Sequence, residues 1–374
     1  MRNDERFYTS AYTLLRMWRR RSRPYGRIMQ HGSRRSSHGQ AAGLADGGST
    51  VTAAVFGAVA EHAAGGPGHA NRPALIDTAD GKVLTYAEFA AVVPTAAAGL
   101  ARRGVLTGDV AAVYVPCTRQ LALAVHALTA AGAVPAPIPR AGITSADELA
   151  ELLTSYEARM LITAPPLGGL ALDAADRSYV RQVLTFGEVP GATPFGELLR
   201  GGGPPQRIDP RRDHALIQPR FRSSGPWEPG GDGIADGADG ADGDRRERLT
   251  HADRLADLDR LTAAVAIERG DVLVGASIGC PAATWIGLID VALLRGATFI
   301  AVTRPGPAAL LRAIETYDAT LAVVAPVTLR ALAREEAVPP RQLGRPPRLL
   351  VAGRAPEEVL RACRRHDWNV DTLA

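Results

Sequence analysis

Lysine is almost missing from this 374-residue sequence: Lys82 is the only one, so all other basic side chains are arginine. Chemistry that needs a compact ammonium against a phosphate therefore has a single candidate, because a planar guanidinium does not substitute cleanly there. Cysteine is scarce as well. Cys117, Cys280 and Cys363 are odd in number, far apart and outside any CxxC spacing, which supports neither a disulfide framework nor a zinc site. No apolar run reaches the roughly 18 residues of a membrane span, and the basic N-terminus is not followed by the apolar core of a signal peptide. A cytoplasmic protein without a membrane span is expected.

What is abundant is apolar residue, 46% of the chain, enough for a large core in one big domain or two. Positive charge is concentrated at one end. Residues 1–50 carry ten arginines against Asp4, Glu5 and Asp46, while the remainder is slightly acidic. This Ser/Gly/Arg segment reads as a basic, disordered extension. Nucleic-acid binding is not favoured, because the basic residues are confined to that arm.

From about Val51 short apolar runs alternate with helical stretches. Thr85 and Glu88 form a capping box ahead of a helix whose apolar face is Phe89, Val92, Ala96 and Leu100, with Pro94 expected to kink it. A strand at 109–116, a helix at 119–132 and a strand at 133–138 make a βαβ unit. His126 lies on that apolar helix and reads as a core histidine rather than a ligand. Ser145 and Glu148 cap the next helix, which leads into a strand at 159–164. Alternation weakens over 165–214, the best internal boundary. It resumes with a strand at Ala215–Ile217 and a helix from His251, and continues to Arg365. Mostly parallel sheets covered by helices are the expected α/β fold. Residues 230–248 hold an approximate Ala-Asp-Gly repeat that lacks the order of a calcium loop and reads as a low-complexity insertion.

The succession "LTYAEF", "GVLTGDVAAVYVP", "GAVPAPI", "LLRGAT", "LAVVAP" and "RLLVAGRAPEEVL" resembles the adenylate-forming (AMP-binding) superfamily, the acyl- and aryl-CoA synthetases and peptide-synthetase adenylation domains. The resemblance spans roughly residues 51–370. It implies the large N-terminal domain of such an enzyme over 51–374, with ATP, Mg²⁺ and CoA as cofactors and a small carboxylic acid as partner. The family's loop, approximately TSGTTGxPKG followed by "LTH", wraps phosphates with backbone N–H groups, hydroxyls and one lysine. On this resemblance Ser223, Ser224, Gly225 and Gly231 form a degenerate nucleotide loop, with Thr250 and His251 at the helix that follows. Pro226 and Trp227 replace two threonines and Gly230 replaces the lysine. An adenine and acid pocket is implied at Thr284, Trp285, Gly353, Arg354, Ala355 and Pro356. Gly353 to Pro356 also fit an ordinary turn into a helix.

The sequence stops at "NVDTLA", where family members continue with a "YG-x-(T/S)-E" motif and a small lid bearing a second lysine. The resemblance thus implies a truncated, degenerate member with no catalytic residue and no metal ligand assigned. Two functions are carried forward: an impaired acid–CoA or acid–thiol ligase, and a non-catalytic acid-binding or interaction protein. A partner chain supplying the missing part is compatible with either.

Overall fold

A computed structural model describes residues 48–64, 71–139, 143–203, 206–219, 246–276, 282–303, 306–333, 347–353 and 355–373. The basic extension up to residue 47, and the insertion up to residue 245, lie outside the described residues. Residues 246–248, counted into the insertion from sequence, instead belong to a strand, because their backbone pairs with 217–219.

Helix α1 (Val51–Ala64) leads to strand β1 (Pro73–Asp77) and the antiparallel β2 (Val83–Thr85). Helix α2 (Tyr86–Arg102) starts at the expected capping box: the Thr85 hydroxyl accepts the Glu88 N–H, and Glu88 accepts the Thr85 N–H. The helix continues through Pro94, which is exposed on its outer side. Then come β3 (Val110–Val113), α3 (Thr118–Ala130), β4 (Val134–Pro137), α4 (Ala146–Ser155), β5 (Met160–Thr163), α5 (Gly168–Ala175), β6 (Gln182–Thr185) and β7 (Thr193–Pro194). The stretch 165–214, read as connector from its prolines and glycines, thus contains a helix and two strands. Strands β8 (His214–Pro219) and β9 (Arg246–Thr250) pair as a two-stranded antiparallel ribbon ahead of α6 (His251–Val265). The chain ends in β10 (Val272–Gly275), α7 (Ala282–Arg295), β11 (Thr298–Ala301), α8 (Pro307–Tyr317), β12 (Leu321–Val324), α9 (Pro326–Leu332), β13 (Arg348–Ala352), α10 (Glu357–Arg365) and β14 (Asn369–Leu373).

The strands form two larger sheets. One has the order β4-β3-β5-β6-β7 and is parallel throughout; the other runs β14-β13-β12-β10-β11-β1-β2, parallel except for β2. Alternate side chains of each strand serve opposite faces. In the seven-stranded sheet Leu273, Phe299 and Leu350 face α1, α2, α6 and α7, while Val274, Ile300 and Leu349 face α8, α9 and α10. In the five-stranded sheet Val113 and Ile162 pack on α2 and α3, and Ala112 and Leu161 on α4 and α5. Helices α2 and α3 are therefore sandwiched between the sheets, which explains why their faces are apolar nearly all round.

The sheets are also tied by a charge. Asp77, at the end of β1 and 1% exposed, accepts the N–H groups of Thr118 and Arg119 at 3.1 Å each, capping α3, and pairs with the Arg119 guanidinium at 3.5 Å. Burial raises its pKa against the opposing pull of Arg119 and those donors. Among the described residues, no helix is long and apolar enough to cross a membrane.

Candidate functional site

An open parallel sheet binds ligands outside the carboxyl ends of its strands, at the point where strand order reverses. In the seven-stranded sheet β10 leads to β11 on one side and β12 lies on the other, so the reversal falls between β10 and β12. Ala276 follows β10, Ala325 follows β12, and Gly353 follows β13 with φ 108°, a backbone state that favours glycine. Small residues keep this edge open. Among the described residues Ala276, Val302, Gly306, Val323, Ala325 and Thr328 border a crevice of about 20 Å³, room for one water. Gly353 is exposed, Ala355 half-buried and Pro356 exposed; Arg354 lies outside the described residues. Pro356 is the N-cap of α10, one position ahead of the first-turn place expected for it.

The ribbon β8–β9 holds together the two ends of the loop segment 220–245. Ser223, Ser224, Gly225 and Gly231 lie outside the described residues. Thr250 and His251 are described, and each is engaged in holding a helix. The Thr250 hydroxyl accepts the Asp253 N–H at 3.1 Å while the Asp253 carboxylate accepts the Thr250 N–H at 2.9 Å, a capping box in which Asp stands for the usual Glu. His251 is 1% exposed; its Nδ1 accepts the Val51 N–H at 3.3 Å, and burial lowers its pKa to about 4. It is a neutral core imidazole that fastens α1.

Thr284 and Trp285 stand in the first turn of α7, which begins six residues ahead of the apolar run that signalled it. They are placed differently. Trp285 is 2% exposed, edge-on to Phe299 with ring centroids 5.1 Å apart, and lies in the core beneath Gly275. Its Nε1 has no hydrogen-bond partner among the described residues. Thr284 instead lines an open groove of about 420 Å³ with Gln218, Glu247, Asp253 and Arg260.

Behind that groove runs a chain of hydrogen bonds that sequence reading did not find. The Gln218 carboxamide donates to Glu247 at 2.7 Å and accepts the Ala283 N–H at 2.9 Å. Arg254 donates to the Ala283 carbonyl at 2.7 Å and to Asp290 at 3.1 Å, and the second Asp290 oxygen meets His126 Nε2 at 2.9 Å. His126, Arg254 and Asp290 are all nearly inaccessible. His126 is thus the core histidine its apolar surroundings suggested, with a partner 164 residues away. One sequence signal was available: charged residues on otherwise apolar helix faces seldom go inside unpaired.

Lys82 stands in the turn between β1 and β2, half-exposed, with its ammonium 3.7 Å from Asp80. Cys117 sits at the N-cap of α3, where burial and the Asp77 charge push its pKa up to about 12, so its thiol stays protonated.

Helix-flanked, mostly parallel sheets with a capped ribbon feeding α6 are an α/β fold that matches the large N-terminal domain of adenylate-forming enzymes. The structure matches a long-chain-fatty-acid-CoA ligase from Archaeoglobus fulgidus with a TM-score of 0.68 and 17% identity, over 86% of this chain and 63% of that one. It matches a benzoate CoA ligase from Burkholderia xenovorans with a TM-score of 0.66 and 17% identity, over 87% of this chain and 60% of that one. Similarity in sequence is more local. The model described as AMP-binding enzyme matches residues 61–211, and 125 residues are 35% identical to an acetyl-coenzyme A synthetase of Rhodopirellula baltica, covering 31% of this chain and 18% of that protein. Over residues 61–211 the chain is thus similar in sequence to the AMP-binding enzyme family, and over most of its length it shares the fold of these ligases' large domain. It spans less than two thirds of both ligases' length.

Proposed function

We propose that this chain is an AMP-dependent acid–CoA or acid–thiol ligase that keeps the body for binding a carboxylic acid and has lost most of the grip on ATP. The chemistry of such a ligase is attack of a carboxylate on the α-phosphate of ATP, giving an acyl-adenylate and pyrophosphate, followed by capture by a thiol. The fold and the family match support the ligase half of this reading. The observation that carries the impaired half is Lys82: the sole lysine is committed to the β1–β2 turn beside Asp80, and the loop between β8 and β9 contains none. A triphosphate bound there would forgo a charge-assisted bond worth roughly 1.5–3 kcal/mol. The loop sequence thus does not supply the ammonium that ATP phosphates would need, and no catalytic step is assigned. The same facts favour, as a second reading, a non-catalytic acid-binding or interaction protein derived from the family. A cytoplasmic setting accords with both.

ATP–pyrophosphate exchange with a panel of carboxylic acids tests the reading: no exchange is expected. Acid-dependent exchange abolished by Ser224→Ala would overturn the impaired half. Replacing residues 226–248 with TTGLPKGVM tests the loop itself. Titration calorimetry should then show ATP binding tighter by roughly 10²–10³-fold, the worth of two or three charge-assisted hydrogen bonds. Binding no better than in the parent chain would make the loop's resemblance accidental.

A further inference from the structure

Ala283 is held from both sides. It is the second residue of α7, so its N–H is one of the donors a helix cannot satisfy from within, and at 7% exposure water reaches it poorly. The usual remedy is a local capping side chain. Here the acceptor comes from another element: Gln218 Oε1, on β8, takes that N–H at 2.9 Å, while Arg254, on α6, donates to the Ala283 carbonyl at 2.7 Å. Each gripping side chain is itself anchored, Gln218 by Glu247 on β9 and Arg254 by the Asp290–His126 pair. Ala283 also shares an apolar cluster with Leu216 of β8 and Val125 of α3.

Packing alone does not require this arrangement. Buried ion pairs are often replaceable by apolar groups without loss of stability, so stability is a weak reason for Arg254 and Asp290. What the bonds add is direction. Two fixed points on Ala283 leave the first turn of α7 one place to stand relative to the β8–β9 ribbon. The next residue, Thr284, lines the groove together with Gln218 and Glu247. We propose that Gln218 and Arg254 are positioning residues, which fix the first turn of α7 against the ribbon and so set where Thr284 meets a bound acid. The link to an acid rests on the function proposed above; the positioning does not.

The full chain is compared with Gln218→Met, which keeps length and removes both bonds, and with Gln218→Glu combined with Glu247→Gln, which keeps an acceptor for Ala283 and a donor between the two side chains. Hydrogen exchange is followed in a peptide covering 282–290, with 110–137 as reference. Gln218→Met should speed exchange in the first turn of α7 by about tenfold or more and leave the reference unchanged. The paired exchange of side chains should restore protection to within about twofold. Unchanged protection in Gln218→Met, an equal rise in both peptides, or no recovery in the paired variant overturns the proposal. If Gln218→Met does not fold, the paired variant and Arg254→Lys, which keeps the charge and gives up one of two bonds, decide it by the same readout. Calorimetry with acetate, benzoate and octanoate separates the two ideas. If the parent binds an acid, Gln218→Met should weaken it at least about fivefold and the paired variant should recover it. If the parent binds none while the exchange pattern holds, the functional reading fails and the positioning stands.

Discussion

His251 illustrates how a residue's surroundings convert into a measurable dependence. In the unfolded chain its imidazole titrates near 6.5; in the fold, burial lowers that to about 4. Because the folded value is the lower one, the unfolded state takes up the proton first as pH falls. Stability contributed by the neutral ring is therefore fully present above about pH 6.5, declines towards pH 4 and is lost below it. Urea unfolding at a series of pH values should show a loss of roughly 2–3 kcal/mol across that window. His251→Gln should start lower at neutral pH and lose less on acidification; an identical pH slope in that variant would mean another group is responsible. Gly99 gives a second residue-scale expectation. A Cβ there would collide with the carbonyl of Leu198, and backbone cannot step aside as a flexible side chain can. Gly99→Ala should therefore destabilise by about 1–3 kcal/mol, although alanine is the better helix former in isolation, and thermal unfolding reads the sign directly. At this scale the sequence was partly legible. The capping boxes at Thr85 and Ser145 follow from local spacing and are present as expected. The grip of Gln218 on Ala283 depends on which helix starts beside β8, and spacing along the chain contains no such information.

Elements were most legible where periodicity was long and the ends were punctuated. Helix α8 spans Pro307–Tyr317, the segment set off by Pro307 and Asp318 in the sequence, and Asp318 takes the left-handed state that ends it. Short or charged strands were not legible. Strand β9 reads RERLT, with no apolar alternation, and is a strand because β8 offers it backbone partners. Strand β14 pairs with β13 though its side chains are largely exposed. Thr250 lies where these two kinds of signal meet, matched to a ligand-binding position by resemblance and employed as a helix cap by geometry. Thr250→Ala should cost about 1 kcal/mol by chemical denaturation and Thr250→Ser close to nothing. Equal losses in the two variants would show that the methyl group, not the capping hydroxyl, is what matters.

For the whole molecule, the two sheets are built to one plan. The five-stranded sheet has its first strand between its second and third, and within the larger sheet β11-β10-β12-β13-β14 repeats that order. The alternation of strands and helices was legible; that β1 and β2 belong to the later sheet was not, because parallel partners are chosen by tertiary packing. Asp77 is where that choice joins the halves, reaching from β1 to the first turn of α3. Asp77→Ala leaves two half-buried N–H groups without their acceptor and Arg119 with Asp80 alone, and should lower stability by about 2–3 kcal/mol, seen by calorimetry as a fall of several degrees in Tm. A change under one degree would mean the apolar contacts of α2 and α3 alone hold the sheets together.

The pairing of β1 with β11 also fixes an order in time. Residues 110–194 contain all five strands of the smaller sheet, so that sheet can close as soon as its own stretch has been synthesised. Strand β1 leaves the ribosome earlier, yet its parallel neighbour is Thr298–Ala301. At about 5–20 residues per second, synthesis of the intervening chain keeps the edge of β1 away from β2 waiting for roughly ten to forty seconds. Throughout that interval a nascent chain presents one unpaired strand edge, the kind of surface that invites wrong pairing.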